Sequence, residues 1–141
     1  MSTRHATNRI LLRARDTMDR DYAHPLNVTA LAAAASLSRA HFIRSFRDAF
    51  GETPHRYLQR RRIERAMAML RETDKPVTEI CLDVGFTSLG TFSRTFRDVL
   101  GTSPRAYRRL AARDTSPAPV PSCMARAWNR PSEHFRRSQE R

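Results

Sequence analysis

Two arginine pairs, Arg44 with Arg47 and Arg94 with Arg97, occupy matching places in two similar stretches of this 141-residue chain. A guanidinium presents a planar fork of donors that fits a phosphate or a guanine edge through two parallel hydrogen bonds. The stretches Ser38 to Tyr57 and Ser88 to Tyr107 align at an offset of 50 with nine identities in twenty positions, among them Phe42/Phe92, Phe46/Phe96, Gly51/Gly101, Pro54/Pro104 and Tyr57/Tyr107. Upstream, Leu31 to Leu37 lies against Ile80 to Phe86 at an offset of 49, so the second copy has one extra residue in its turn. The repeated unit reads as a short helix, a tight turn and a longer helix, the helix-turn-helix arrangement.

At about 100° per residue, each longer helix has two distinct faces. Phe42, Phe46, Ala49 and Phe50 form the core side of the first, with Ala40, Ile43, Arg44 and Arg47 roughly opposite. Phe92, Phe96, Val99 and Leu100 do the same in the second, opposite Gly90, Ser93, Arg94 and Arg97. Small residues near the start of such a stripe permit close approach to a major groove, and Arg44 and Arg94 are long enough to reach base edges. The helical spacing of the phenylalanines assigns them to the core rather than to base stacking.

The elements that must hold these faces are helical throughout. Ile10, Leu11, Ala14, Met18 and Tyr22 fall at helical spacing and predict a first helix from about Asn8 to Tyr22. Asn27 caps a short helix Val28 to Ala35, and Arg39 to Phe50 follows, ended by Gly51. Thr53-Pro54 opens a long helix to about Glu72. Val77 to Val84 meets Gly85, Ser88 caps Leu89 to Leu100, and Ser103-Pro104 starts a last helix through Leu110. The expected fold class is all-α: seven helices, two homeodomain-like helix-turn-helix halves joined by a long connecting helix. The expected domain spans residues 8–112, and 113–141, rich in proline and arginine, reads as a mostly disordered basic tail.

The connecting stretch Pro54 to Glu72 should measure about 28 Å. Successive major grooves on one face of B-DNA recur about every 34 Å, so a single chain could place both reading helices in adjacent grooves, the shortfall being met by DNA bending. Arg56, Arg60, Arg61, Arg62 and Arg65 cluster on this helix. Arg62 and Arg65 are expected to contact phosphates, others to pair with Glu64 or Glu72.

Composition narrows the rest. Lys+Arg number 26 against 14 Asp+Glu, for a net charge of +12, and Lys75 is the only lysine. There is no apolar run near the roughly 20 residues that span a bilayer and no signal-peptide core, which predicts a cytoplasmic, nucleoid-associated protein. Cys81 and Cys123 match no metal or disulfide pattern, and the five histidines form no ligand motif. Four glycines without a Gly-rich loop leave nothing to cradle a nucleotide. The expectation is therefore no metal, no cofactor and no catalytic residues: the chain is not an enzyme. Cys81, on an apolar helix face, reads as a packing residue.

Ile80 to Arg97, followed by Gly101-Thr102-Ser103-Pro104-Arg105-Ala106-Tyr107-Arg108, resembles the DNA-binding domain of the AraC/XylS family of bacterial transcription regulators. The resemblance runs from about Asn8 to Arg109. It implies sequence-specific binding of double-stranded promoter DNA, with base readout by Ala40, Ile43 and Arg44 in the first copy and Leu89, Gly90, Ser93 and Arg94 in the second. Arg39, Arg47 and Arg97, with Arg62 and Arg65, are the expected phosphate contacts. Many relatives carry amide side chains where this chain has Leu89 and Gly90, which points its second helix toward thymine methyls and DNA shape. Ser36 stands where the first turn often has glycine, and Cys81 where alanine is usual. Most members also carry a sensor domain, for which no residues remain here, so no small-molecule effector domain is expected. The competing reading is a basic accessory protein that works through a protein partner such as RNA polymerase.

Overall fold

The computed structural model describes residues 3–113, and the tail read from the sequence beyond Arg113 lies outside them. The described residues form seven α-helices and no strand: α1 Thr3–Arg20, α2 Val28–Ala34, α3 Arg39–Phe50, α4 Pro54–Glu72, α5 Val77–Asp83, α6 Leu89–Leu100 and α7 Pro104–Arg113. Helix α1 starts five residues before Asn8 and α7 continues past Leu110, since neither extension contains glycine or proline to stop it. The central boundaries follow from caps. Side-chain oxygens of Asn27, Ser38, Thr53, Ser88 and Ser103 accept from the backbone N–H groups of Ala30, His41, Arg56, Thr91 and Ala106 at 3.0 to 3.3 Å. Each such cap is worth about 1 kcal/mol.

The chain divides into two compact units. Unit 1 holds described residues 3–21 and 25–58, and unit 2 holds 22–24 and 59–113. In unit 1, α1 and α2 pack on α3. Phe42 and Phe46 are fully buried there, their ring centroids 5.9 Å apart, and Tyr57 meets Phe46 edge-on at 5.7 Å. The Tyr57 hydroxyl donates to the Asp19 carboxylate at 2.6 Å. In unit 2, α5 and α7 pack on α6, with Phe92 and Phe96 5.8 Å apart and Tyr107 edge-on to Phe96 at 5.7 Å. Here Arg71 donates to the Tyr107 hydroxyl at 2.6 Å. The duplicated sequence thus builds the same aromatic stack twice. The copies differ at the ends of α3 and α6: Ala49 and Phe50 are buried, and the Arg15 guanidinium of α1 lies 4.8 Å over the Phe50 ring, whereas Val99 and Leu100 stay half-exposed. The expected core side of α6 is accordingly narrower than that of α3.

The turn between the short and long helices also repeats. The N–H of Leu37 donates to the Ala32 carbonyl at 2.9 Å, and that of Phe86 to the Cys81 carbonyl at 3.0 Å. The residue before each donor is left-handed, Ser36 at φ +57° and Gly85 at φ +101°. Only at Gly85 is the space for a side chain already taken. A Cβ there would lie 2.9 Å from Arg62 Nε and 3.0 Å from the Cα and carbonyl oxygen of Ala23.

Candidate nucleic-acid interface

Helices α3 and α6, 12 residues each, are fixed at one end by a serine cap and at the other by a left-handed glycine, with their phenylalanines anchored in the core. That fixation sets which residues face outward. On α3, Arg39, Ala40, Arg44 and Arg47 are exposed and Ile43 is half-buried at the edge of the same face. On α6, Leu89, Gly90, Arg94 and Arg97 are exposed and Ser93 is half-buried. Each expected reading set thus shares one helix face. The Arg44 and Arg94 guanidinium groups make no hydrogen bond or ion pair with any described residue. Both charges face solvent, ready to exchange water for an anionic ligand.

In unit 2 the face of α6 is one wall of an open groove of about 500 Å³. Leu89, Ser93 and Arg97 line it from α6, Val77 and Thr78 from the start of α5, and Ser103, Pro104 and Arg105 from the start of α7. Thr78 and Arg105 did not emerge from the sequence as interface residues. The signal for Arg105 was its place directly after the helix-initiating Pro104, which puts an exposed cation at the edge of the groove.

The connecting helix α4 divides its arginines differently from the sequence expectation. Arg62 is half-buried: its Nε donates to the Tyr22 carbonyl at 2.7 Å, its terminal nitrogen to the His24 carbonyl at 2.8 Å, and its guanidinium lies 5.9 Å over the Phe86 ring. Burial lowers its pKa from the ordinary arginine value. The expected phosphate contact at Arg62 is replaced by an internal role, because carbonyls freed after α1 need donors and this fork supplies two. Arg65 is exposed, 5.4 Å over the Tyr22 ring, with its Nε 3.4 Å from the Tyr22 hydroxyl. Arg61 pairs with Glu64 at 2.7 Å. Arg108 of α7 likewise serves the fold, donating to the carbonyls of Leu70, Thr73 and Lys75 at 3.2, 3.3 and 2.7 Å.

Among the described residues, no group of three or more His, Cys, Asp or Glu side chains comes together as a metal site, and no helix is long and apolar enough to cross a membrane. Cys81 is buried, its Sγ 3.9 Å from the Phe86 carbonyl oxygen, and burial pushes its thiol pKa up. Lys75 pairs with Asp83 at 2.9 Å, and the hydrogen bond to that carboxylate raises the lysine pKa.

Comparison with known proteins identifies the same fold. A family model described as a helix-turn-helix domain matches residues 31–110. The regulatory protein SoxS of Salmonella typhimurium is 34% identical over 91 residues, which cover 64% of this chain and 85% of SoxS. An AraC-like transcription regulator of Streptomyces antibioticus, itself a putative assignment, is 39% identical over 92 residues, 65% of this chain and 30% of the relative. This chain spans about a third of the length of several curated relatives it matches. Among solved structures, the DNA-binding domain of the global transcriptional factor AdpA, crystallised with a target DNA, superposes with a TM-score of 0.70 at 32% identity, covering 76% of this chain and 97% of that domain.

Proposed function

This chain belongs to the AraC-type family of helix-turn-helix DNA-binding domains of transcriptional regulators, and on that premise we propose that it binds duplex promoter DNA sequence-specifically, as a monomer, with α3 and α6 entering adjacent major grooves. The family is one of regulators, not enzymes. The observation that carries the reading is the duplicated outward face: two equally capped 12-residue helices present, at the same register, Arg44 and Arg94, which have no partner among the described residues. Ala40, Ile43 and Arg44 read one half-site, and Leu89, Gly90, Ser93 and Arg94 the other. Arg39, Arg47, Arg65 and Arg97 neutralise phosphates, joined by Arg105 at the groove edge. The AdpA domain, solved on its target DNA, supports the assignment through its fold.

Selection of binding sites from random duplexes with the full chain tests this. The expected product is a bipartite motif with centres about 10 to 10.5 base pairs apart. Arg44→Ala and Arg94→Ala should each cost about 1 to 3 kcal/mol and relax the preference at one position of one half. If both variants keep full preference, the readout assignment is wrong and the chain returns to the accessory-protein reading.

A further inference from the structure

We propose that Gly90 is a specificity-determining position: by lacking a side chain, and beside exposed Leu89, it seats the 5-methyl group of a thymine. The inference deepens the reading above and rests on it.

Gly90 differs from the other glycines of the described chain. Gly51, Gly85 and Gly101 have positive φ, whereas Gly90 lies inside α6 without one. A Cβ at Gly90 would meet only the Ser88 Oγ at 3.6 Å, an ordinary contact. The fold therefore has room for alanine at this position, and alanine is the far better helix former. The matching position in unit 1 is Ala40, where the same kind of helix does carry a methyl. Among the described residues nothing near Gly90 requires a glycine, so the clearance it leaves is open to what approaches from outside.

Its neighbour defines the chemistry of that approach. Leu89 is 44% exposed and, with Val77 and Pro104, gives the groove an apolar wall, where unit 1 has Arg39 at the matching place. On α6 itself, a leucine face, an open glycine and a single hydroxyl one turn on, at Ser93, offer few donors or acceptors to a base edge, the hydroxyls of Thr78 and Ser103 belonging to the starts of α5 and α7. The base feature such a surface can distinguish in the major groove is the 5-methyl of thymine, the one apolar group displayed there. Arg94 follows on the same face and can fix a neighbouring base through hydrogen bonds.

The test replaces each thymine of the selected duplex, one at a time, by deoxyuridine, which removes only the methyl group. The full chain, Leu89→Ala and Gly90→Ala are titrated against each duplex, and thermal unfolding is recorded for all three proteins. The expected result is one thymine in the second half-site whose replacement weakens wild-type binding about fourfold, the worth of one buried methyl, and has no effect on Leu89→Ala. Gly90→Ala should unfold at the same or a higher temperature yet bind the thymine duplex about tenfold more weakly, as its added methyl competes for the same space. Uniform tolerance of deoxyuridine, an undiminished penalty in Leu89→Ala, or unchanged affinity in Gly90→Ala would overturn the inference while leaving promoter binding intact. A lowered unfolding temperature for Gly90→Ala would show that the fold needs the glycine and overturn it equally. Failure to select any duplex at all would remove both readings together.

Discussion

Replacing Gly85 by alanine should be among the most damaging single-methyl changes in this protein. The new Cβ would stand 2.9 Å from Arg62 Nε, closer than real Cβ contacts come, and 3.0 Å from two backbone atoms of Ala23, tighter than nearly all of them. Neither neighbour can yield easily, because the same Arg62 nitrogen donates to Tyr22 at 2.7 Å and its partner nitrogen to His24 at 2.8 Å. The φ of +101° adds about 1 to 2 kcal/mol of backbone strain. Weakening the two charge-assisted hydrogen bonds adds about 2 to 3 kcal/mol. The expected loss is therefore about 3 to 5 kcal/mol, a large share of the roughly 5 to 15 kcal/mol that stabilises a typical domain. Gly101→Ala is the internal control: its φ is +74° but nothing lies within 4 Å of the added Cβ, so only about 1 kcal/mol should go. Urea unfolding followed by far-UV circular dichroism reads both, and Gly85→Ala should lower the midpoint by more than about 1 M. In a double-mutant cycle with Arg62→Ala the losses should be less than additive, since both changes break the same bonds. Equal losses for Gly85→Ala and Gly101→Ala would refute the view that Arg62 and Ala23 form a rigid wall.

Three further outcomes are expected. Ser36→Gly relieves a left-handed serine at φ +57° and should stabilise the chain by about 0.5 to 1 kcal/mol; a lower urea midpoint would contradict this. DNA affinity should fall with salt at a log-log slope of about −4.5, for the five phosphate-facing arginines at about 0.9 each, and Arg97→Ala should bring the slope about one unit closer to zero, whereas Arg62→Ala should leave it unchanged. Because burial raises the Cys81 thiol pKa, the native state holds the thiol protonated while the unfolded chain ionises it at ordinary values; stability is then complete below the ordinary thiol range and declines as pH rises through it toward the folded pKa. On a Cys123→Ser background the Cys81 thiol should react with a disulfide reagent at mildly alkaline pH only as fast as the fold opens, and an immediate full reaction would overturn its placement in the core.

The repeat made much of the architecture readable. Ser38 and Ser88, Pro54 and Pro104, and the glycines closing α3 and α6 act within one helical turn of themselves, so their meaning survives in a linear string. The phenylalanine spacing likewise names a face without reference to any partner. What the string did not show was the use of each arginine on α4 and α7. Arg62 and Arg65 lie three apart and look alike, yet one is tied to carbonyls about 40 positions away and the other stays exposed. The groove residues Thr78 and Arg105 were missed for the same cause, since each comes to line the groove only through the packing of α5 and α7 around α6.

By itself, then, the order of residues determined seven helices, their caps, a duplicated core and two arginine-bearing outer faces, because all of these rest on contacts within a few residues or on periodicity. Tertiary structure alone decided that Arg62 and Arg108 hold the chain rather than a ligand, and that Gly85 has no room for a methyl group where Gly90 has. Those distinctions depend on which distant carbonyl or backbone atom arrives beside a given side chain, and that is settled only when the helices pack.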